Sequence, residues 1–255
     1  MKKYILIPLI ALTVVFAAFQ IQQKPTLYMI GDSTMHNNDK DLWGWGTTIA
    51  DHLDLTRIDL VNSATAGRST RTFIKEGRWD KVYSALKPGD YVIMGFGHNE
   101  GSKPDTSKAG YRGVLKGTGA DSLVLNWPNN VVEVVHSYGW YIRKFIRDTK
   151  AKGATPIVVS MIPRREWDKN GKIQRADKDY GLWAKQVANE ESVAFVDLNE
   201  ITASKYDKLT HDQVFALFGK DHTHTNKDGA VISAQSFVDG LKLQPNVTLN
   251  NYLKK

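Results

Sequence analysis

The 255-residue chain contains no cysteine, and that removes three classes of chemistry at once. Disulfide staples, thiolate metal sites and cysteine nucleophiles are all excluded. A chain of this length can instead bury enough core to hold itself together. Also lacking is any run of clustered lysine and arginine interleaved with aromatics. The net charge of +7 and the pI near 9.3 therefore do not point to nucleic acid. A basic surface does attract anionic partners in general, acidic polymers among them. No repeat, low-complexity tract or linker divides the sequence, so a single α/β domain over residues 25–255 is expected.

The N-terminus reads as an export signal. Lys2 and Lys3 precede an almost wholly apolar stretch from Tyr4 to Phe19, and Val15 and Ala17 fit a small-x-small cleavage site. Cleavage is expected after Ala17, with positions out to 20–24 as alternatives. The stretch is short for a membrane span, which needs about 20 residues. A signal peptide is therefore expected rather than an uncleaved anchor. The processed chain stays basic, is exported to the periplasm, cell surface or medium, and has no stable membrane association.

Short apolar runs at Pro25–Ile30, Ile58–Val61, Tyr91–Phe96, Thr155–Ser160 and Val193–Asp197 predict five buried strands. Helical patterns over Leu42–Leu53, Trp79–Leu86, Asn130–Lys152, Ala176–Glu191, Asn199–Phe218 and Asn226–Leu241 alternate with them. Asn226 is placed as the N-cap of the last helix. Gly44 and Gly46 weaken the first one. Glu100–Pro128, with five glycines and little periodicity, reads as a long functional loop. This alternation predicts a parallel sheet covered on both faces, with ligand chemistry on the loops after the strand ends.

Ser33 follows the first strand on a Gly31-Asp32-Ser33 turn, where its hydroxyl is free to attack; a helix cap is the alternative role. A serine nucleophile needs a base, and Asp221-His222-Thr223-His224 offers two imidazoles with a carboxylate to orient one of them. The same cluster could cap the last helix. It could also hold a metal, but no third histidine is grouped with it, so no metal is expected. Attack on an ester builds negative charge on the carbonyl oxygen, which requires aimed donors. Gly67 and Asn99, both on loops after strands, are candidates to supply them.

These blocks resemble the SGNH (GDSL) hydrolases from Pro25 to about Leu241. Gly31–Thr34, Ala66–Arg71, Phe96–Asn99 and Asp221–Thr225 are similar in particular to rhamnogalacturonan acetylesterases, as are Trp43–Gly46 and Lys152–Ala154. The resemblance implies a three-layer, flavodoxin-like α/β/α fold with a five-stranded parallel sheet. It implies Ser33 as nucleophile, His224 as base and Asp221 as its orienting acid. The oxyanion donors would be the backbone amides of Ser33 and Gly67 and the side chain of Asn99. No cofactor is required. Glu100 stands where the family usually has Asp, and the Gly101–Leu125 stretch is variable ground.

The expected partner is an acetylated acidic polysaccharide or oligosaccharide. Arg68 and Arg71 are candidates to fork onto its carboxylates, their alternative being surface or capping charges. Trp43 and Trp45 are candidates to stack on sugar rings, their alternative being core packing. His98 is a further candidate contact. Trp127, in the long loop, is assigned no role. Other readings are an acetylesterase for another glycan such as xylan, or a non-catalytic carbohydrate-binding protein. Intact Ser33, Asp221 and His224 weigh against the second.

Overall fold

The computed structural model describes residues 24–37 and 39–254; the expected signal segment lies outside them. Five strands, β1 (Thr26–Gly31), β2 (Asp59–Asn62), β3 (Tyr91–Gly95), β6 (Thr155–Val159) and β7 (Ala194–Val196), form one sheet in the order β2-β1-β3-β6-β7. All four pairings are parallel. A separate antiparallel hairpin joins β4 (Ser122–Asn126) to β5 (Val132–His136).

Successive residues of a strand point to opposite faces, and here both faces are apolar. Tyr28, Ile30, Val92, Met94 and Val158 pack under α2 (Thr70–Lys75), α3 (Arg78–Ala85), α4 (Tyr138–Ala151) and α5 (Tyr180–Glu190). Leu27, Met29, Ile93, Ile157 and Val159 pack under α1 (Trp45–Thr48), α6 (Leu198–Tyr206) and α8 (Lys227–Lys242). A short α7 (His211–Phe215) completes the helices of the described residues. This is the expected three-layer α/β/α fold. Chain order departs to opposite sides of β1 at β2 and β3, so the switch-point crevice opens beyond the paired ends Gly31 and Gly95.

Four expected elements differ: β4 lies within the stretch read as a loop, the helical stretch expected over Asn199–Phe218 is two helices, α6 and α7, and two further helices change their bounds. The helix expected over Asn130–Lys152 begins only at Tyr138, with Ser137 as its N-cap accepting from Trp140 N at 3.1 Å. Val132–His136 is strand instead, because its valines are β-branched and Asn130 turns the chain at φ 62°. The first helix is one turn, Trp45–Thr48, continued by a 3₁₀ turn over Ile49–His52.

The hairpin is bolted to the body by charge. Arg71, 1% exposed, forks onto Glu133 with Nε–Oε1 at 2.7 Å and Nη2–Oε2 at 2.8 Å. Lys75 Nζ and Trp127 Nε1 also donate to Glu133, at 2.6 and 2.7 Å, which helps hold its carboxyl down to about 2 against the opposing effect of burial. The outer face of the hairpin leaves Val124, Val132 and Val134 exposed. Glu133→Ala strands a buried guanidinium, and an expected loss of about 3 kcal/mol or more follows. Urea unfolding of the variant against wild type measures it.

Candidate active site

The turn after β1 presents Ser33. Asp32 Oδ1 accepts from Thr34 N at 2.9 Å and Thr34 Oγ1 at 2.8 Å, so the carboxylate closes the turn from below. Gly44 and Gly46 are there for close approach. A Cβ on Gly44 would lie 2.2 Å from the Met35 carbonyl carbon, and Gly46 N donates to Met35 O at 3.0 Å.

Ser33 Oγ lies 2.8 Å from His224 Nε2, and His224 Nδ1 lies 2.7 Å from Asp221 Oδ2. The other Asp221 oxygen accepts the backbone N–H groups of Thr223 and His224, at 2.7 and 2.8 Å. Burial works to raise the Asp221 carboxyl, but the His224 ring and these two amides together hold it at about 2. An ionised carboxylate can only accept, so His224 carries its proton on Nδ1 and turns a lone pair toward Ser33. His222 points elsewhere, its Nδ1 being 3.2 Å from Glu166 Oε1. Of the two imidazoles, only His224 meets the serine.

The base loop is fixed on both sides. Gly219 N donates to His224 O at 2.8 Å and Arg165 N to His222 O at 2.7 Å. Trp43 N donates to Thr225 O at 2.9 Å, and Thr225 Oγ1 donates to Trp43 O at 2.9 Å. Trp43 is thereby tied to the residue after His224, half-buried, with Lys227 Nζ 5.3 Å from its ring.

Gly67 and Asn99 lie on the loops after β2 and β3. Ser63 N and Thr65 N donate to Met29 O and Gly31 O, at 2.9 and 3.0 Å, which carries the β2 loop alongside the β1 end. Gly67 takes φ +75°, a left-handed conformation that favours glycine. Asn99 Nδ2 donates to Arg68 O at 3.1 Å, and Asn99 Oδ1 accepts from Arg112 Nη1 at 2.7 Å. A hydroxyl, imidazole and carboxylate joined in this way can carry out acyl transfer.

Three expected substrate contacts are corrected. Arg71 serves the hairpin, as described above, and its Nη1 donates to the Gly110 and Gly113 carbonyls at 3.0 and 3.1 Å, so the side chain is closed off from the surface. Trp45 is 2% exposed and stacks on Phe237 at 5.3 Å, so it packs the core. His98 has both ring nitrogens enclosed, and burial pushes it down to about 4 although the Asp32 charge pulls the other way. Arg68 is partly exposed, with Nε on Glu76 at 3.0 Å and Nη1 on the Ala66 carbonyl at 2.9 Å.

Two residues beside the site carried no assignment from sequence. Glu100 is fully buried, its oxygens accepting from Thr70 N and Asn99 N, each at 2.9 Å. Burial, and next the Asp32 charge, push its carboxyl up to about 8. Its place after Asn99 was the available signal. Arg112 sits in a 3₁₀ turn, Gly110–Arg112, inside the aperiodic loop, where nothing local marks it. Among the described residues no three His, Asp or Glu side chains group as a metal site.

From its ordinary value of 4.5 up to about 8, folded Glu100 keeps a proton that the unfolded chain has released. Stability from this group therefore falls as pH rises through that window. Glu100→Gln is expected to flatten the decline of melting temperature between pH 5 and 8. A slope retained in the variant assigns the decline to other groups.

Residues 29–232 match the GDSL-like Lipase/Acylhydrolase family. The chain is similar to the rhamnogalacturonan acetylesterase of Emericella nidulans, 32% identical over 230 residues that cover 90% of this chain and 89% of that protein. Among solved structures, protein YxiM of Bacillus subtilis superposes with a TM-score of 0.71 at 24% identity. That match covers 88% of this chain but only 58% of the longer YxiM chain. The acetylxylan esterase Axe2 of Geobacillus stearothermophilus gives 0.59 at 19% identity, covering 85% and 94%. Both structures share the fold. The chain thus belongs to the GDSL-like Lipase/Acylhydrolase family and is a carboxylic ester hydrolase.

Proposed function

We propose that this enzyme removes O-acetyl groups from a plant cell-wall polysaccharide, the rhamnogalacturonan backbone of pectin, through an acetyl-enzyme on Ser33. The reading rests on the unbroken hydrogen-bonded chain Ser33–His224–Asp221. His224 Nε2 takes the serine proton as Oγ attacks the acetyl carbonyl. The oxyanion is met by the backbone amides of Ser33 and Gly67 and by Asn99 Nδ2. His224 returns the proton to the departing sugar oxygen, and Asp221 stabilises the imidazolium in between. A water then repeats the attack, and acetate leaves. The likeness to the Emericella nidulans rhamnogalacturonan acetylesterase supports this choice of substrate.

A cleft of about 760 Å³ runs beside the oxyanion loop, lined by His36, Ser63, Thr65, Arg78 and Lys81 over Tyr28. Lys81, which makes no ion pair among the described residues, suits the galacturonate carboxylates of a pectic chain, with Arg78 beside it already paired to Glu76. With Arg71 withdrawn to the hairpin, this wall takes over the expected recognition of acid groups. Trp43, half-buried next to the base loop, offers a ring for sugar stacking.

Ser33→Ala is expected to lower acetate release by on the order of 10³-fold or more. Wild-type turnover in that variant would end the serine mechanism. A serine-reactive phosphonate should inhibit and a chelator should not. Acetylated pectin should be preferred to acetylated xylan; the reverse preference would move the substrate to xylan. Lys81→Glu should raise KM several-fold on acetylated pectic oligomers and leave KM on a small neutral acetyl ester unchanged. Equal changes on both would take the cleft out of the binding path.

A further inference from the structure

Four arginines lie around the loop that carries Gly67, and three of them are ion-paired. Arg68 and Arg78 share Glu76, at 3.0 and 2.6 Å, and Arg71 is held by Glu133. Arg112 differs. Among the described residues it makes no ion pair, and its Nη1 donates to the uncharged side-chain oxygen of Asn99 at 2.7 Å. The same nitrogen lies 3.8 Å from the point where a Cβ on Gly67 would sit. One guanidinium thus abuts both loops that supply the oxyanion donors.

An asparagine amide has two faces of similar shape and opposite chemistry. Only the NH₂ end stabilises an oxyanion; the carbonyl end turned inward would repel it. A guanidinium can only donate and a backbone carbonyl can only accept. Arg112 on Oδ1 and the Arg68 carbonyl on Nδ2 therefore allow one orientation. The second Nδ2 hydrogen is left for the reacting carbonyl. The positive charge on Oδ1 also polarises the amide, which strengthens that hydrogen as a donor.

The arginine is itself held firmly. The carbonyls on either side of the Tyr111–Arg112 pair, from Gly110 and Gly113, both accept from Arg71 Nη1, and Tyr111 N donates to Ser107 O at 2.9 Å. Val114 N donates to Glu100 O at 3.2 Å, tying the turn to the residue after Asn99.

We propose that Arg112 is a positioning residue that fixes and polarises the Asn99 amide, through which it stabilises the oxyanion. This rests on the reading of Asn99 as an oxyanion donor. A double-mutant cycle on an aryl acetate tests it. Asn99→Ala is expected to lower kcat by on the order of 10²-fold. Arg112→Met should lower kcat by about 10-fold with KM unchanged, and Arg112→Lys should recover part of the loss. In the Asn99→Ala background, Arg112→Met should cost less than about twofold more.

If Asn99→Ala leaves kcat intact, the oxyanion reading itself fails. If that variant is impaired but the two losses multiply, or Arg112→Met leaves kcat intact, the proposal for Arg112 is overturned while the oxyanion reading stands. A KM increase confined to acetylated pectic oligomers would also overturn it, by placing Arg112 on a substrate carboxylate. Melting temperatures of the variants exclude misfolding as the source of a loss.

Discussion

The contact between Ser33 and His224 spans 191 positions of chain, and the rest of the molecule is arranged so that it can form. Neither residue could be aimed by its own neighbours alone. The serine is set by the end of β1 and by backbone hydrogen bonds from Trp45 and Gly46 to the turn. The histidine is set by a loop pinned to Leu217 and Gly219 on one side and to Trp43 on the other. Both supports meet at Trp43–Gly46, a short segment whose glycines exist to let backbones touch. A side chain at Gly44 would push the two halves of the site apart.

Beneath the serine the protein tolerates an unusual density of ionisable groups. The Asp32 charge reaches both His98 and Glu100, and burial acts on each of the two more strongly still. The imidazole stays neutral because it is desolvated. The glutamic acid retains its proton well above the ordinary range for the same reason. A protonated Glu100 spares the buried layer a negative charge next to Asp32. The Glu100 side chain, longer than the Asp the resemblance leads one to expect, reaches the amides of both Thr70 and Asn99.

Much of this could be read from the chain before its shape was known. The strands were legible because buried parallel strands are continuous apolar runs, and Ser33, Asp221 and His224 because each belongs to a short local block at a strand end or helix start. Other assignments turned on partners remote in sequence. Trp43 and Trp45 look alike in the sequence, yet one is tied to the base loop and the other stacks on Phe237. Arg68 and Arg71 look alike too, and only contact with Glu133, 62 positions on, buries the second. Val131–Val135 was read as helix because an apolar run next to a true helix hides the turn between them. Arg112 had no readable signature, since its meaning depends on which atom of Asn99 it faces.

The stacking of Trp45 on Phe237 has a consequence for the timing of the enzyme's birth. The rings come from α1 and α8, the first and last α-helices of the described residues, so α1 settles only when α8 has arrived beside it. The base-bearing loop directly precedes α8 and arrives with it. A nascent chain emerging amino-end first therefore displays its reactive hydroxyl long before the imidazole that activates it.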